Sequence, residues 1–471
     1  MRRRWWMCLS VLLLAGHTVV RGNQVDDHPY KDQTAEDFYR RGNQLYAKGE
    51  TERALEEFTR ALQIRPDYTE AYLSRGVTRR GSGDLKGAVS DCGQAIQHDP
   101  RNADAYNCRG AARQGLGEYE AALQDYDTAL RLNPGHAEAH FNRGLLRSDL
   151  GDFKEALSDF DSAISKYPKF AENAVSITAT NPHLAEAYCG RAFARQSTGD
   201  IAGALADYDK ALEIQPKLAD AYGARAGAKS LNGDYEGAIE DTQRALEMNP
   251  NSATAYNNRC QARYELHNLS GALADCDRAI ALSPRLAAAY INRGVAREKS
   301  GDADGAIADF RKALEIHPRD AAAYNDIGLA LLRSNRPDRA IENFTHALAL
   351  NPQMASAFLN RATADVNVND FAAAISDYTS TIKLFPQNPT LLAYRGMAEL
   401  EIGHDSDAKR DFDRCLAMEP ALRRLVEVRS AAIRAKRSQP TSAAVSVAKP
   451  HESSIRPVNS PPPSSLHHAG I

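Results

Sequence analysis

Three kinds of residue in this chain could do chemistry by type and spacing. His136 and His140 stand four apart with Glu138 between them, residue types that hold zinc on a helix face. They straddle the junction of two repeating blocks, however, and His140 fills the fourth place, which is aromatic in most other blocks, so no metal is expected there. His467 and His468 form an adjacent pair near the C-terminus of the kind that binds metal only weakly. Seven cysteines, Cys8, Cys92, Cys108, Cys189, Cys260, Cys276 and Cys415, include no Cys-x-x-Cys pair. Most stand where the pattern otherwise has a small or apolar residue, which predicts free buried thiols acting as small hydrophobes. Should the chain be exported, Cys92 with Cys108 and Cys260 with Cys276 are the pairs to test for bridges. There is no phosphate-cradling glycine loop, no Gly-x-Ser-x-Gly elbow and no His-Glu-x-x-His. No catalytic residue, cofactor or metal is therefore expected.

The third kind is charged and periodic. Arg109 and Asp125, Arg225 and Asp241, and Arg293 and Asp309 are each 16 residues apart, and the spacing recurs along the chain. It belongs to a larger period. Gly42, Gly76, Gly110 and Gly144 are 34 apart, as are Pro66, Pro100, Pro134 and Pro168, and after a 14-residue interruption the step resumes from Pro216 to Pro420. Eleven repeats result, beginning at 35, 69, 103, 137, 185, 219, 253, 287, 321, 355 and 389. Within each, helical spacing of Tyr106, Gly110, Ala122, Tyr126 and Ala129 and their counterparts predicts helix, turn and helix. Small residues at the eighth, twentieth and twenty-seventh positions let the two helices approach, aromatic residues fill the remaining gaps, and the closing proline stops the second helix.

These glycines, alanines, aromatics and prolines closely resemble the tetratricopeptide repeat family over about 385 of 471 residues. The resemblance implies an all-α fold, a right-handed superhelical α-solenoid of about eleven 34-residue repeats whose first helices line a concave groove. It also implies a protein-binding role, as a scaffold or adaptor that takes partner peptides, with a co-chaperone or export-machinery adaptor as the alternative and an enzyme with an atypical site behind both. In the family, the second, fifth, sixth, ninth and twelfth positions of the first helix face the groove. One variety clamps C-terminal carboxylates. Here Asn43 matches that clamp, but Tyr39, Ser74, Asp104 and Cys108 occupy its other places, so a chaperone-tail clamp is not expected.

Two departures from the family pattern are informative. The seventh position is arginine and the twenty-third acidic in ten of the eleven repeats, whereas repeat nine has Ile327 and Asn343. Joint loss of both predicts that they pair across the hairpin as a structural ladder, since either charge alone would be costly to bury. Asn258, Asn292, Asp326 and Asn360 occupy the sixth position of repeats seven to ten, with Asn257 and Asn325 beside two of them. They are candidate peptide-binding residues, because stacked amides offer both donors and acceptors to an extended backbone. This is similar to the asparagine-lined groove of sugar-transferring enzymes that carry such arrays, although no transferase domain follows the repeats. Asn142 in repeat four keeps open the alternative that asparagine merely fills this position.

Outside the repeats, residues 1–22 have Arg2, Arg3 and Arg4, an apolar run from Trp5 to Ala15 and a small-residue site around Gly22, the order of a signal peptide. This predicts export to the periplasm or the exterior, with an uncleaved membrane anchor as the alternative. Residues 23–34 read as a linker, 35–168 as repeats one to four, 169–184 as an insertion and 185–420 as repeats five to eleven. Residues 421–437 read as a basic capping helix and 438–471 as a disordered tail rich in serine, proline and histidine. The formal charge of −3 includes four N-terminal arginines, so the rest of the chain carries about −7. Proteins or peptide segments are the expected partners, and nucleic acid is not. Membrane contact through the N-terminal segment or the basic helix stays open.

Overall fold

The structure, a computed structural model, describes residues 33–167 and 182–438. The signal segment, most of the linker and of the insertion, and all but the first residue of the tail lie outside the described residues. Among the described residues there are 23 α-helices, one short 3-10 turn and no strand. They follow the repeat in pairs, such as Ala103–Leu116 with Tyr119–Leu132 and Ala287–Lys299 with Ala303–Ile316. The chain forms two compact units, Met1–Gly233 and Asp234–Ile471, each an α-solenoid in which every helix packs on its neighbours in sequence. The division falls between the two helices of repeat six.

Local signals set the helix ends. The residue at the fifteenth position adopts the left-handed conformation in all eleven repeats, eight times as glycine and as His267, Asn335 and Asn369 in the others. The next residue is the N-cap of the second helix, and Asp84, Asp200, Asp234 and Asp302 there accept a backbone N–H from three residues on. At the other end, the residue before the closing proline is forced out of the helical region, as at Asn133, with φ −135° and ψ 92°.

The two helices of a repeat meet at one narrow place. A Cβ on Gly42 would stand 2.5 Å from the Phe58 ring, and one on Gly328 would stand 2.5 Å from Phe344. The eighth position must therefore be small wherever the twenty-fourth is a large ring. Gly190, at the sixth position of repeat five, presses on the Phe160 ring of repeat four in the same way, at 2.6 Å from its own would-be Cβ. The slot is thus shared by positions eight and twenty-four of one repeat and position six of the next.

Two repeats fill this slot with sulfur. Cys92 and Cys276 replace the ring, and Cys92 bonds to Cys108 at position six of the next repeat, whereas Cys276 bonds to Cys260 at position eight of its own. The Cα atoms are 6.1 and 5.5 Å apart, within ordinary disulfide reach. The expectation of free thiols is corrected for these four residues: removing the ring leaves space that two thiols share. Cys189 and Cys415 are free and buried. Each bridge spans 16 residues, so replacing Cys260 and Cys276 together by alanine should lower stability by about 3 kcal/mol, read by denaturant unfolding.

The arginine and acid ladder is present. In repeat three, Arg109 donates from Nε at 3.0 Å and from Nη2 at 2.7 Å to the two carboxylate oxygens of Asp125. Arg293 grips Asp309 alike, at 2.9 and 2.6 Å. The same fork joins Arg75 to Asp91, Arg143 to Asp159, Arg191 to Asp207, Arg259 to Asp275, Arg361 to Asp377 and Arg395 to Asp411. Arg225 and Asp241 fall in different units. Within its own unit Arg225 reaches Asp209 at 2.6 Å, and Asp241 is buried. A second arginine at the eleventh position joins six of the acids, for example Arg113 to Asp125 at 2.8 Å and Arg297 to Asp309 at 2.9 Å. At Asp159 burial opposes the charged form, but hydrogen bonds from His140 and Arg143 hold the carboxyl below its usual range.

Repeat nine shows the apolar alternative, with Ile327 buried against Phe310 and Phe344. Asp411→Asn should cost about 3 kcal/mol by stranding Arg395, and adding Arg395→Ile should recover most of that loss. Thermal and denaturant unfolding of the two variants would check both expectations.

After the last proline, the 3-10 turn Pro420–Leu422 leads into the helix Arg423–Ser438. Val426 is buried there, and Leu422, Leu425 and Ile433 pack beside it on Leu392, Leu400 and Phe412 of repeat eleven. Arg437 donates to the Leu400 carbonyl at 2.8 Å and pairs with Asp405 at 3.0 Å, which ties the helix down over the end of the unit.

Candidate functional site

Within each unit the first helices of successive repeats lie side by side and form one continuous face. The asparagines sit on it. Asn292 donates to Asn257 at 3.0 Å and Asn360 donates to Asn325 at 2.9 Å, each from the sixth position of one repeat to the fifth of the repeat before. Asn142 donates to Asn107 in unit one by the same rule. Asn257 is 4% exposed and Asn325 fully buried. The row thus forms separate two-residue amide bridges between neighbouring first helices, and one donor and one acceptor of each bridge are already used. Asn258, next to Asn257 in repeat seven, has an interaction of its own.

Asp326 interrupts the row. Asn325 donates to it at a long 3.4 Å, and Glu298 at the twelfth position of repeat eight, itself paired with Arg333 at 2.5 Å, lies within range of its charge. Burial first and then Glu298 push the Asp326 carboxyl up to about 7, against smaller opposing effects of the Asn325 amide and Arg333. A carboxyl raised in this way adds stability below its unfolded value, near 3.8, and loses it as pH rises through about 7. Asp326→Asn should therefore melt higher than the wild type at pH 8, with the difference vanishing near pH 4 in a melting series across pH.

The histidine pair is not brought together. His136 caps its helix by accepting the Ala139 N–H at 3.3 Å and meets Asp104 at 3.0 Å with its other nitrogen. His140 faces Asp159 at 3.3 Å and the Pro134 carbonyl at 3.2 Å. Each ring thus has partners of its own. Among the described residues the group able to converge on a cation is Glu399, His404 and Asp407 at the turn of repeat eleven. There Glu399 and His404, 2.7 Å apart, invert the arginine and acid found at the eleventh and sixteenth positions of other repeats, and Arg410 already holds Asp407 at 3.0 Å.

Sequence reasoning passed over two regularities on these helices. The eleventh-position arginines Arg79, Arg113, Arg147, Arg195, Arg263 and Arg297 recur with the 34-residue step and could have been found by the same count. The polar twelfth positions of repeats two to six, Arg80, Gln114, Ser148, Gln196 and Ser230, vary in type, and of these Gln114, Ser148 and Ser230 are buried.

Family models described as tetratricopeptide repeat match residues 109–169, 189–253, 232–287, 285–353 and 92–124, and one described as TPR repeat matches 42–81. The chain is a tetratricopeptide repeat protein. No curated protein matches it. Among solved structures, this tetratricopeptide repeat protein is similar to yeast Tom70 at 17% identity, over 87% of this chain and 97% of that one, with a TM-score of 0.41. It is similar to MamA at 28% identity over 35% of this chain and 96% of that one, TM-score 0.31. A further likeness, at 21% identity over 43% and 97% of the two chains and TM-score 0.34, is to YrrB, described as a TPR protein with an unusual peptide-binding site.

Proposed function

We propose that this protein is an exported scaffold that captures extended segments of partner proteins on the face formed by its first helices. Tetratricopeptide repeat arrays serve protein interaction in general, and the family is not generally enzymatic. The observation that carries the reading is the division of labour inside each repeat. Position seven is committed to a buried ion pair, and positions eight and twenty-four to the helix contact, so the helix pair is held rigid while its outward residues differ from repeat to repeat. A preorganised face loses little freedom on binding.

Export rests on the signal-like N-terminus, and the two disulfides support it, since such bridges persist in oxidising compartments. No helix among the described residues is long and apolar enough to cross a membrane. Membrane contact through the N-terminal segment or the basic end helix belongs to the same proposal, as the means of holding the scaffold at a surface.

Photo-crosslinking in the native organism tests the binding face. A crosslinking amino acid at Asn258, on a first helix, should yield partner adducts, and one at Arg311, on a second helix, should not. Adducts confined to Arg311 would refute the reading. The N-terminal residue of the mature chain, read by mass spectrometry, checks export, and an intact Met1 on a cytosolic protein would remove that part.

A further inference from the structure

In six repeats the end of the hairpin is a cage for one guanidinium. The arginine at the eleventh position donates to the acid at the twenty-third, each time to the same oxygen, Oδ2, at 2.6 to 2.9 Å. Two further acceptors complete the cage. Arg195 also reaches the Gly203 carbonyl, at the nineteenth position, at 3.2 Å and the Asp200 Oδ2, at the sixteenth, at 3.7 Å. Arg297 meets Gly305 and Asp302 in the same way, at 3.4 and 3.8 Å. The six arginine side chains stay 24 to 29% exposed, so the place that the guanidinium fills is open to solvent.

Repeat ten keeps the acceptors and replaces the arginine by Asp365. Asp377 Oδ2 accepts from Arg361 Nε at 2.7 Å, the usual seventh-position fork, and no second arginine joins it among the described residues. Asp370, at the sixteenth position, uses Oδ1 to cap the Ala373 N–H at 3.0 Å, as Asp200 caps Gly203 and Asp302 caps Gly305. Its Oδ2, the oxygen that meets arginine in those repeats, makes no bond among the described residues.

Asp365 itself is 4% exposed, and among the described residues no hydrogen bond or ion pair meets its carboxylate. Its oxygens are not among the polar atoms sealed wholly inside the packing, and they keep an edge at the molecular surface. Burial first and then the charge of Asp377 push its carboxyl up to about 6, with Arg361 opposing and Asp370 adding. Three carboxylates thus share one arginine, where repeat five sets Asp200 and Asp207 against Arg191 and Arg195.

A nearly buried carboxylate without a partner is costly, and the hairpin does not need it. Repeat eleven makes the same exchange and answers it, because Glu399 replaces the arginine and His404, at the sixteenth position, stands 2.7 Å away. Repeat nine drops the acid as well, with Leu331 packed beside Ile327 and Asn343 at the twenty-third position. Repeat ten does neither.

We propose that the hairpin end of repeat ten, formed by Asp365, Asp370, Asp377 and the Ala373 carbonyl, binds an arginine side chain of a partner protein in the place that the eleventh-position arginine fills elsewhere. Several acceptors set around a planar fork favour guanidinium over ammonium, which is a point charge. The site lies where the first and second helices of the hairpin meet. It is therefore an anchor beyond the first-helix face, and the two readings can fail separately.

The test uses the full chain and fluorescein-labelled synthetic 12-residue peptides that alternate serine with arginine, with lysine or with glutamate, followed by fluorescence anisotropy. The arginine peptide should bind the wild type more tightly than the lysine peptide, and the glutamate peptide should not bind. Asp365→Arg supplies the guanidinium from within and should weaken arginine-peptide binding by about tenfold or more. Asp365→Asn keeps the shape and removes the charge; it should weaken binding severalfold, and it decides the question if the arginine variant does not fold. Glu342→Arg makes the same change of charge at an exposed site on the second helix of repeat nine and should leave most of the binding intact. Binding unchanged by substitution of Asp365, an equal loss from Glu342→Arg, equal affinity for arginine and lysine peptides, or no binding of the arginine peptide would each overturn the proposal. The crosslinking result at Asn258 and Arg311 judges the first-helix face by itself.

Discussion

A pair of helices of about fourteen residues buries too little apolar surface to stand alone, and this structure depends on how closely such a pair can approach. The limiting contact is the eighth position of the first helix against the twenty-fourth of the second. Glycine there admits a phenylalanine or tyrosine ring, and the ring in turn reaches the sixth position of the next repeat, so one contact joins both the hairpin and its neighbour. Gly42 with Phe58, Gly328 with Phe344 and Gly190 with Phe160 are three views of this slot. The disulfides are a fourth, since Cys92 turns to the next repeat and Cys276 to its own, the two directions that the ring otherwise serves at once.

The buried arginine and aspartate fork adds register to this contact. Bidentate geometry tolerates little sliding or rotation of one helix along the other, and a second arginine on six of the acids uses the remaining lone pairs. Desolvation offsets much of the attraction, so the fork contributes more to fixing one arrangement than to net stability. Repeat nine shows that the arrangement survives without it, because Ile327 joins the apolar core when its acid partner becomes Asn343. Its neighbourhood is also where the first-helix face carries the poorly partnered Asp326.

With hairpin geometry fixed by a few positions, the outward residues of the first helices are free to differ, and the two units have used that freedom differently. Both units join asparagines in bridges from repeat to repeat, and unit two also leaves a carboxyl, Asp326, raised by burial and Glu298. Unit one keeps a line of acids at the start of its first helices and unmade hydrogen bonds near their ends.

The sequence by itself determined the repeat, its period and the pairing of arginine with acid, although the first helix of repeat five begins at Pro182, inside the segment read as an insertion. These follow from local rules or from strict periodicity, and a 34-residue step aligns Arg109 with Arg293 as surely as any coordinates do. It also singled out the two cysteine pairs, but could not choose between bridges and free thiols, because that depends on whether Cβ atoms 16 residues apart converge across a hairpin or between neighbours. The roles of the asparagines were likewise undecided, since a side chain that could meet a ligand could equally meet the next helix, and Asn292 and Asn360 do the latter. Only tertiary structure shows which polar atoms are left without partners once the helices are packed. Burial is a property of neighbours, and it leaves Asp365 without a partner while Glu399, which replaces the same arginine, meets His404.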